Sequence, residues 1–346
     1  MTRAYRWIMG ISGFVLALAL LGGALLAWDW HRPFRRSEKP VLVTVAKGQT
    51  AGQVLETLSR EGLVRNRISL KLAYSLYGRP RGLRAGTYRF DRPLTPLQVI
   101  DMLNRGEVIF VRVTVPEGLR ADEVARVLSE AGLGREEAFR AAMARPDLIR
   151  DLDPEAEDLE GYLFPETYLL DPTLSESAVV QVLVKAFRAW RTDRDRPVHA
   201  LGSLREVVTL ASLVEEETAA PKERPLIAGV FVNRLRLGMP LQTDPTIVYA
   251  QSVAGSYRGF LTRMDWGYPS PYNTYLHAGL PPGPICSPGR ASLEAALQPA
   301  SSDYLYFVSK NDGTHAFSRT LEEHNEAVAI YQHGSPPNSK RRGKPR

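Results

Sequence analysis

The spacing of apolar and polar positions changes several times along this chain, and each change marks an element. From Trp7 to Trp28 runs "WIMGISGFVLALALLGGALLAW", 22 residues without a charge. As a helix it is about 33 Å long, the thickness of a bilayer's hydrocarbon core. Its terminal tryptophans fall where an aromatic belt lies. The run is read as one uncleaved membrane-spanning helix over 7–28, after a short cytoplasmic tail, 1–6. A signal peptide would show small residues at a cleavage site, and here Trp28, Asp29 and Trp30 follow at once.

Beyond the span the pattern repeats itself. Residues 43–63, "VTVAKGQTAGQVLETLSREGL", and 113–133, "VTVPEGLRADEVARVLSEAGL", are identical at 10 of 21 positions with an offset of 70. Each copy predicts an alternating strand, a turn at Gly48 or Gly118, and a helix ending at Gly62 or Gly132. "AGTYRF" (85–90) adds a further strand. Elements of this size resemble a small wall-glycan-binding module of the LysM type, expected over 40–110, with 111–154 as a repeat-containing connector. Read from its residues alone the repeat is structural, because it defines packing and names no ligand.

Next comes "DLEGYLFPETYLLDP" (158–172), aromatic and broken by Pro165 and Pro172, hence a loop leading into a strand. A helix is expected around Val179–Trp190, followed by a charged break at 191–197. "SLRE" (203–206) is a capping box that starts another helix with Ser203 as N-cap. That helix ends in three glutamates, "LASLVEEET" (210–218). With about 100° per residue and Glu217 at zero, Leu210 lies near 20°, Leu213 near −40° and Val214 near 60°. Glu216 falls with Thr209, Arg205 and Ser212 on the polar face. Glu215 sits at the far edge of the apolar arc. One carboxylate of the three, Glu217, therefore projects into the apolar sector, where its charged form is disfavoured and its pKa rises toward that of a useful general acid. Fraying of the helix at Thr218, which would put Glu217 in solvent, is the competing outcome.

Composition bounds the rest. The chain has 346 residues, 44% hydrophobic, enough for two domains of α+β type. Its net charge of +6 gathers at "HRPFRR" after the span and "SKRRGKPR" at the end. The tail 331–346 has no apolar period and is expected to be disordered. Basic charge confined to the ends is a poor nucleic-acid footprint, and no nucleic-acid partner is expected. Cys286 is the single cysteine, so no intramolecular disulfide forms. His277, His315 and His324 match no zinc spacing, so no metal site and no cofactor are expected. Arginines flank both sides of the span, and charge bias alone does not orient it.

"LASLVEEETAAPKERPLIAGVFVNRLRLGMPLQTDPTIVYA" (210–250), "SPYNTYLHAGLPPGPICSPG" (270–289) and "LYFVSKNDGTHAFSRTLEEHN" (305–325), with "EGYLFPETY" (160–168) and "AGTYRF", resemble the endolytic murein transglycosylases of the YceG-like family. The likeness runs in order from the anchor to about residue 330. The resemblance implies a mixed α/β catalytic domain over 155–330 and a catalytic acid at the second Glu of an ASxxExE pattern. Here that pattern is Ala211, Ser212, Glu215 and Glu217, which selects Glu217, as the helical wheel does. Where the pattern usually has a basic residue between the glutamates, this chain has Glu216, whose charge would raise the pKa of Glu217 further. The implied reaction cuts the β-1,4 bond between N-acetylmuramic acid and N-acetylglucosamine in nascent strands and closes the C6 hydroxyl to a 1,6-anhydro end. The implied setting is the cytoplasmic membrane, with the catalytic domain on the outer side. The implied partners are peptidoglycan glycan strands, the membrane and, further, cell-wall synthases.

Weaker candidates for sugar contact follow from local chemistry. "LQTDPT" (241–246) holds Gln242, Thr243 and Asp244 in a proline-stiffened turn, which is equally a capped turn without a ligand. "YNTY" (272–275) offers Asn273 as a polar contact and Tyr272 or Tyr275 as a stacking face. Ser212 is placed to orient substrate, or simply to meet solvent. "GLPPGPICSPG" (279–289) reads as a rigid loop walling the cleft. Two other functions stay open: a hydrolysing muramidase using Asp244 or Glu223 to activate water, and a wall-binding scaffold of the synthesis machinery.

Overall fold

The computed structural model of the chain describes residues 3–78, 82–192 and 201–334, with side chains from Ser12 onward. It mixes helices with short strands, as the sequence pattern requires. The elements are α1 (Arg3–His31), β1 (Val41–Val45), α2 (Ala51–Arg60), α3 (Arg67–Ala73), β2 (Gly86–Phe90) and α4 (Pro96–Arg105), followed by β3 (Val111–Thr114), α5 (Ala121–Glu130), α6 (Glu136–Met143), β4 (Thr167–Leu170) and α7 (Glu176–Thr192). Then come α8 (Leu204–Glu217), α9 (Arg224–Arg236), α10 (Asp244–Val253), α11 (Arg290–Leu297), β5 (Tyr306–Ser309), β6 (His315–Ser318) and α12 (Leu321–Tyr331). Two compact units result: residues 1–111 with 169–173, and the remainder from Arg112 on. The segment expected as a connector, 111–154, thus folds almost entirely with the second unit.

In the first unit α1 contains, over Ser12–His31, the one stretch among the described residues long and apolar enough to cross a membrane. The helix runs past Trp28, where the charge-free stretch stops, because its last turn has something to pack on. Trp30 donates its indole N–H to the Ser69 carbonyl (3.1 Å) and meets Tyr77 edge-on. Trp28 stays 45% exposed with the guanidinium groups of Arg32 and Arg65 over its ring, 4.6 and 5.1 Å from the centroid. β1 and β2 pair antiparallel, Val43 opposite Tyr88 and Val45 opposite Gly86. Their inward residues Val43, Val45, Tyr88 and Phe90 pack with Val54, Leu55 and Leu58 of α2 and Val99, Ile100 and Leu103 of α4 into one core. Residues 169–173 return to this unit, where the Thr87 hydroxyl donates to Asp171 (2.7 Å).

The two copies of the repeat fall one in each unit and head the same succession of elements: β1–α2–α3 before β2, and β3–α5–α6 before β4. In the second copy the Val115 N–H donates to the Glu166 carbonyl (2.9 Å) and the Thr114 and Thr167 hydroxyls face each other at 2.9 Å. The glycines common to both copies all have positive φ: Gly48 +84° and Gly118 +80° in the turns, Gly62 +70° and Gly132 +77° after the helices. Those identities are conformational, since other residues enter this region only at a cost.

In the second unit α8 is the central element. Ser203 caps it in a full capping box with Glu206, as predicted. Leu204 and every residue from Val207 to Val214 are buried. The helix packs against α9, α10 and α11. α7 extends from Glu176 to Thr192 and buries Val179, Val180, Leu183, Val184, Phe187 and Trp190 along one stripe. Most of the charged break expected at 191–197 lies outside the described residues, as does the tail beyond residue 334. β5 and β6 form an antiparallel hairpin, Phe307 opposite Phe317 and Ser309 opposite His315, with α12 packed on it.

Candidate active site

The three glutamates that end α8 point three ways, and each has a different job. Glu215 accepts from Arg224 Nη2 (2.9 Å) and from the Gly289 N–H (2.8 Å), and its side chain is 7% exposed. It is a buried ion-pair partner set at the N-terminus of α11, which Gly289 caps. Glu216 is exposed and faces the turn at Gly118, where an added Cβ would come within 3.0 Å of its Oε1. Glu217 is the last residue of the helix, and Thr218 turns to extended backbone at φ −149°, ψ 133°. The helix stays intact to that residue, and Glu217 is half-buried.

The Glu217 carboxyl accepts a hydrogen bond from the Thr243 hydroxyl. Its pKa is raised above the ordinary glutamate value, first by loss of hydration. The protein packs densely around the carboxyl even though part of the side chain is open to solvent. The Thr243 bond and the charge of His315 lower it, while Asp244 and Glu216 add to the rise. A carboxyl whose protonated form is favoured by burial, at the end of a buried helix and still reachable, is what a general acid needs.

The turn before α10 is fixed by threonines. The Thr243 N–H donates to Thr274 Oγ1 (3.1 Å), the Thr246 hydroxyl donates to the Thr243 carbonyl (2.8 Å), and the Thr246 and Thr274 hydroxyls lie 3.1 Å apart. Gln242 is held at φ +50°, an uncommon conformation for a non-glycine residue, with its N–H donated to the Thr274 carbonyl (3.2 Å). Its side chain is exposed. Asp244 is exposed and accepts from the Tyr275 hydroxyl (2.7 Å). Tyr275 stacks on Trp266, centroids 5.4 Å apart and planes 9° from parallel. Gln242, Asp244 and Tyr275 are thus brought together beside Glu217.

Ser212 and Asn273 are placed otherwise. Ser212 is fully buried: its hydroxyl donates to the Thr209 carbonyl (2.7 Å) and accepts the Ile285 N–H (3.1 Å). The polar face expected to meet solvent is covered by the 282–289 loop, which also reaches Glu215 through Gly289 and Arg205 through the Pro282 carbonyl (2.9 Å). Ser212 and Glu215 lie about 140–160° around the helix from Glu217, so the loop braces the back of α8 and does not wall the Glu217 side. Asn273 is fully buried too. Its amide donates to the carbonyls of Trp266 (3.0 Å) and Tyr268 (2.8 Å), and its oxygen accepts the Tyr275 N–H (3.0 Å). It shapes the loop that presents Tyr275. Tyr272 is half-buried against Tyr249 at 4.9 Å.

Three features of the site went unread in the sequence. Thr243 belongs to the expected turn, and nothing in its spacing marks it as the partner of Glu217. Arg234, in "VNRLRLG", is buried; it donates to the carbonyls of Leu305 (2.7 Å) and Leu241 (2.7 Å) and so fixes the start of the Gln242 turn. A long cation in a run of alternating arginines looks like helix surface, and only its tertiary partners set it apart. Glu223 binds His315 twice, through its backbone N–H (3.0 Å) and its Nδ1 (2.7 Å), which ties the imidazole beside Glu217. The two residues are 92 positions apart, beyond any local pattern.

The chain is 31% identical over 331 residues to the endolytic murein transglycosylase of Bacillus subtilis, covering 90% of this chain and 91% of that protein. It is 31% identical to the endolytic murein transglycosylase of Streptococcus pneumoniae strain D39, over 92% of this chain and 64% of that longer protein. A crystal structure of a putative YceG-like protein from Listeria monocytogenes superposes with a TM-score of 0.56 at 31% identity, covering 84% of this chain and 99% of that one. Residues 43–330, from β1 through α12, match the sequence profile of the YceG-like family, and the chain belongs to that family.

Proposed function

We propose that the protein is a peptidoglycan lytic transglycosylase that cuts within glycan strands, at the bond between N-acetylmuramic acid and N-acetylglucosamine, with Glu217 as general acid and then base. The observation that carries this reading is the raised, Thr243-bonded carboxyl of Glu217 beside an exposed polar turn. Family membership and the names of the relatives support the reaction class. Protonated Glu217 gives its proton to the glycosidic oxygen as the bond to C1 breaks. The carboxylate left behind takes the proton of the C6 hydroxyl as that oxygen closes on C1, so the acid is regenerated and no water enters. Gln242, Asp244 and Tyr275 are positioned to contact the sugars. Asn273 and Ser212 serve from within, holding the loops that carry those contacts.

A hydrolytic reading needs a second carboxylate free to activate water. Glu223 is held by His315, and Asp244 is held on one oxygen by the Tyr275 hydroxyl. That leaves Asp244 as the alternative base. The strand–helix–helix–strand order of the first unit supports a LysM-like wall-binding role. The apolar helix supports a membrane anchor, with the second unit on the outer side, where murein lies.

Mass spectrometry of fragments released from murein by the full chain in detergent micelles, beside Glu217→Gln, tests the proposal. Anhydro-muramyl ends from the unaltered chain and none from the variant are expected. Ends one water heavier would make the protein a muramidase. Anhydro ends persisting in the variant would remove Glu217 from its role. Glycan binding without any cleavage would leave the scaffold reading.

A further inference from the structure

Trp266 is 41% exposed, yet the backbone that carries it is pinned by buried polar groups. It lies in the short 3-10 turn Arg263–Gly267, which is pinned from both sides. On one side Asn273, with no exposed surface, donates its amide to the Trp266 and Tyr268 carbonyls. On the other, Asp265 accepts from Gln251 Nε2 (2.7 Å), the Thr262 N–H (2.7 Å) and the Thr262 hydroxyl (2.6 Å), and pairs with Arg258 at 3.2 Å. Those bonds push its carboxyl down to about 2. Burying an amide and a carboxylate is costly unless each is fully bonded. Here two such networks converge on a turn whose product is an indole left at the surface.

The indole is also tied to the site already described. Trp266 stacks on Tyr275, the Tyr275 hydroxyl donates to Asp244, and Asp244 follows Thr243, whose hydroxyl reaches Glu217. Aromatic rings take the C–H faces of sugars well, and a neighbouring carboxylate accepts hydroxyl hydrogen bonds while repelling phosphate. The chemistry at this spot therefore fits the face of a hydroxyl-rich pyranose. We propose that Trp266, backed by Tyr275, is a stacking platform for a sugar ring of the glycan strand beyond the bond being cut, and that it selects for strands long enough to reach it. This inference rests on the glycan-cutting reading above for its substrate.

The test uses the full chain in detergent micelles and uncrosslinked glycan strands of defined length. Binding is measured by calorimetry in the Glu217→Gln background, with and without Trp266→Ala or Trp266→Phe. Trp266→Ala is expected to weaken binding of long strands about tenfold, equivalent to about 1.4 kcal/mol, and Trp266→Phe by less. With Glu217 intact, Trp266→Ala should raise KM by a similar factor and leave kcat within about twofold. Binding of long strands within a factor of two of the parent overturns the platform. So does an equal loss in both variants together with a lowered melting temperature, which would mark the indole as structural. Failure of the transglycosylase reading would look different: no anhydro ends from the unaltered chain, with the Trp266-dependent binding still present.

Discussion

Thr243, the N-cap of α10, gives its hydroxyl to Glu217 and not to its own helix. An N-cap threonine ordinarily accepts from a backbone N–H one turn on. Here the helix forgoes that bond, and the proton donor is turned onto the carboxyl that ends α8. Removing the hydroxyl while keeping the shape, with Thr243→Val, should raise the pKa of Glu217 further, because the bond favours the ionised form. The protonated acid then persists to higher pH, so the basic limb of the kcat/KM profile should move up. The reverse proton transfer and the aim of the carboxyl should suffer, with kcat falling about tenfold to a hundredfold. Thr243→Ser should restore both. A profile whose basic limb stays in place would mean that the bond does not act on the acid.

The Glu223–His315 pair predicts a second shift of the same sign. Positive charge on His315 lowers the Glu217 pKa, and Glu223 fixes the ring through Nδ1. His315→Ala should therefore move the basic limb upward as Thr243→Val does. Glu223→Gln should loosen the ring and give a smaller shift. If Glu223 instead activated water, its amide variant would abolish cleavage outright while His315→Ala would not.

Glu160 predicts how stability varies with pH. It is buried, both of its oxygens accept the Ala121 N–H at the start of α5 (3.0 and 3.2 Å), and its pKa is pushed up to about 8, chiefly by burial. The folded state therefore binds a proton that the unfolded chain releases near 4.5. Its contribution is fully present below 4.5 and is lost as pH rises through 8, by up to about 1.4 kcal/mol per unit in that window. Glu160→Gln keeps an acceptor for Ala121 and removes the titration. Its melting temperature should gain on the parent between pH 5 and 9. Parallel curves would refute this.

Arg224 and Glu215 predict a stability loss of a different origin. Both side chains are almost buried, 9% and 7% exposed, at 2.9 Å. Glu215→Ala leaves a buried guanidinium with only the more distant Glu117 (3.8 Å) as charge partner and an unmet Gly289 N–H, worth about 3 kcal/mol. The check is a lowered denaturation midpoint. Removing both partners, with Arg224→Met and Glu215→Leu, should recover part of the loss.

Much of this protein was legible from residue order alone, because the features concerned are local. The apolar run predicts α1, the capping box fixes the start of α8 at Ser203, and the repeat gives the same strand–turn–helix twice through glycines that must adopt positive φ. The helical wheel also separates Glu217 from its two neighbours, since a direction on a helix follows from spacing. What spacing does not contain is what packs against each direction. Ser212 lies on a face of α8 that looks polar in sequence, and only the 282–289 loop makes it interior. Asn273 looks like a ligand contact until its amide is found bonded inside its own loop. Thr243, His315 and Arg234 gain their places around Glu217 from contacts 26 to 92 residues apart. The sequence by itself set Glu217 apart from its two neighbours and located the elements that carry it. The tertiary structure decided its partners, because burial and hydrogen bonding at long range are properties of the folded surface and not of any local pattern.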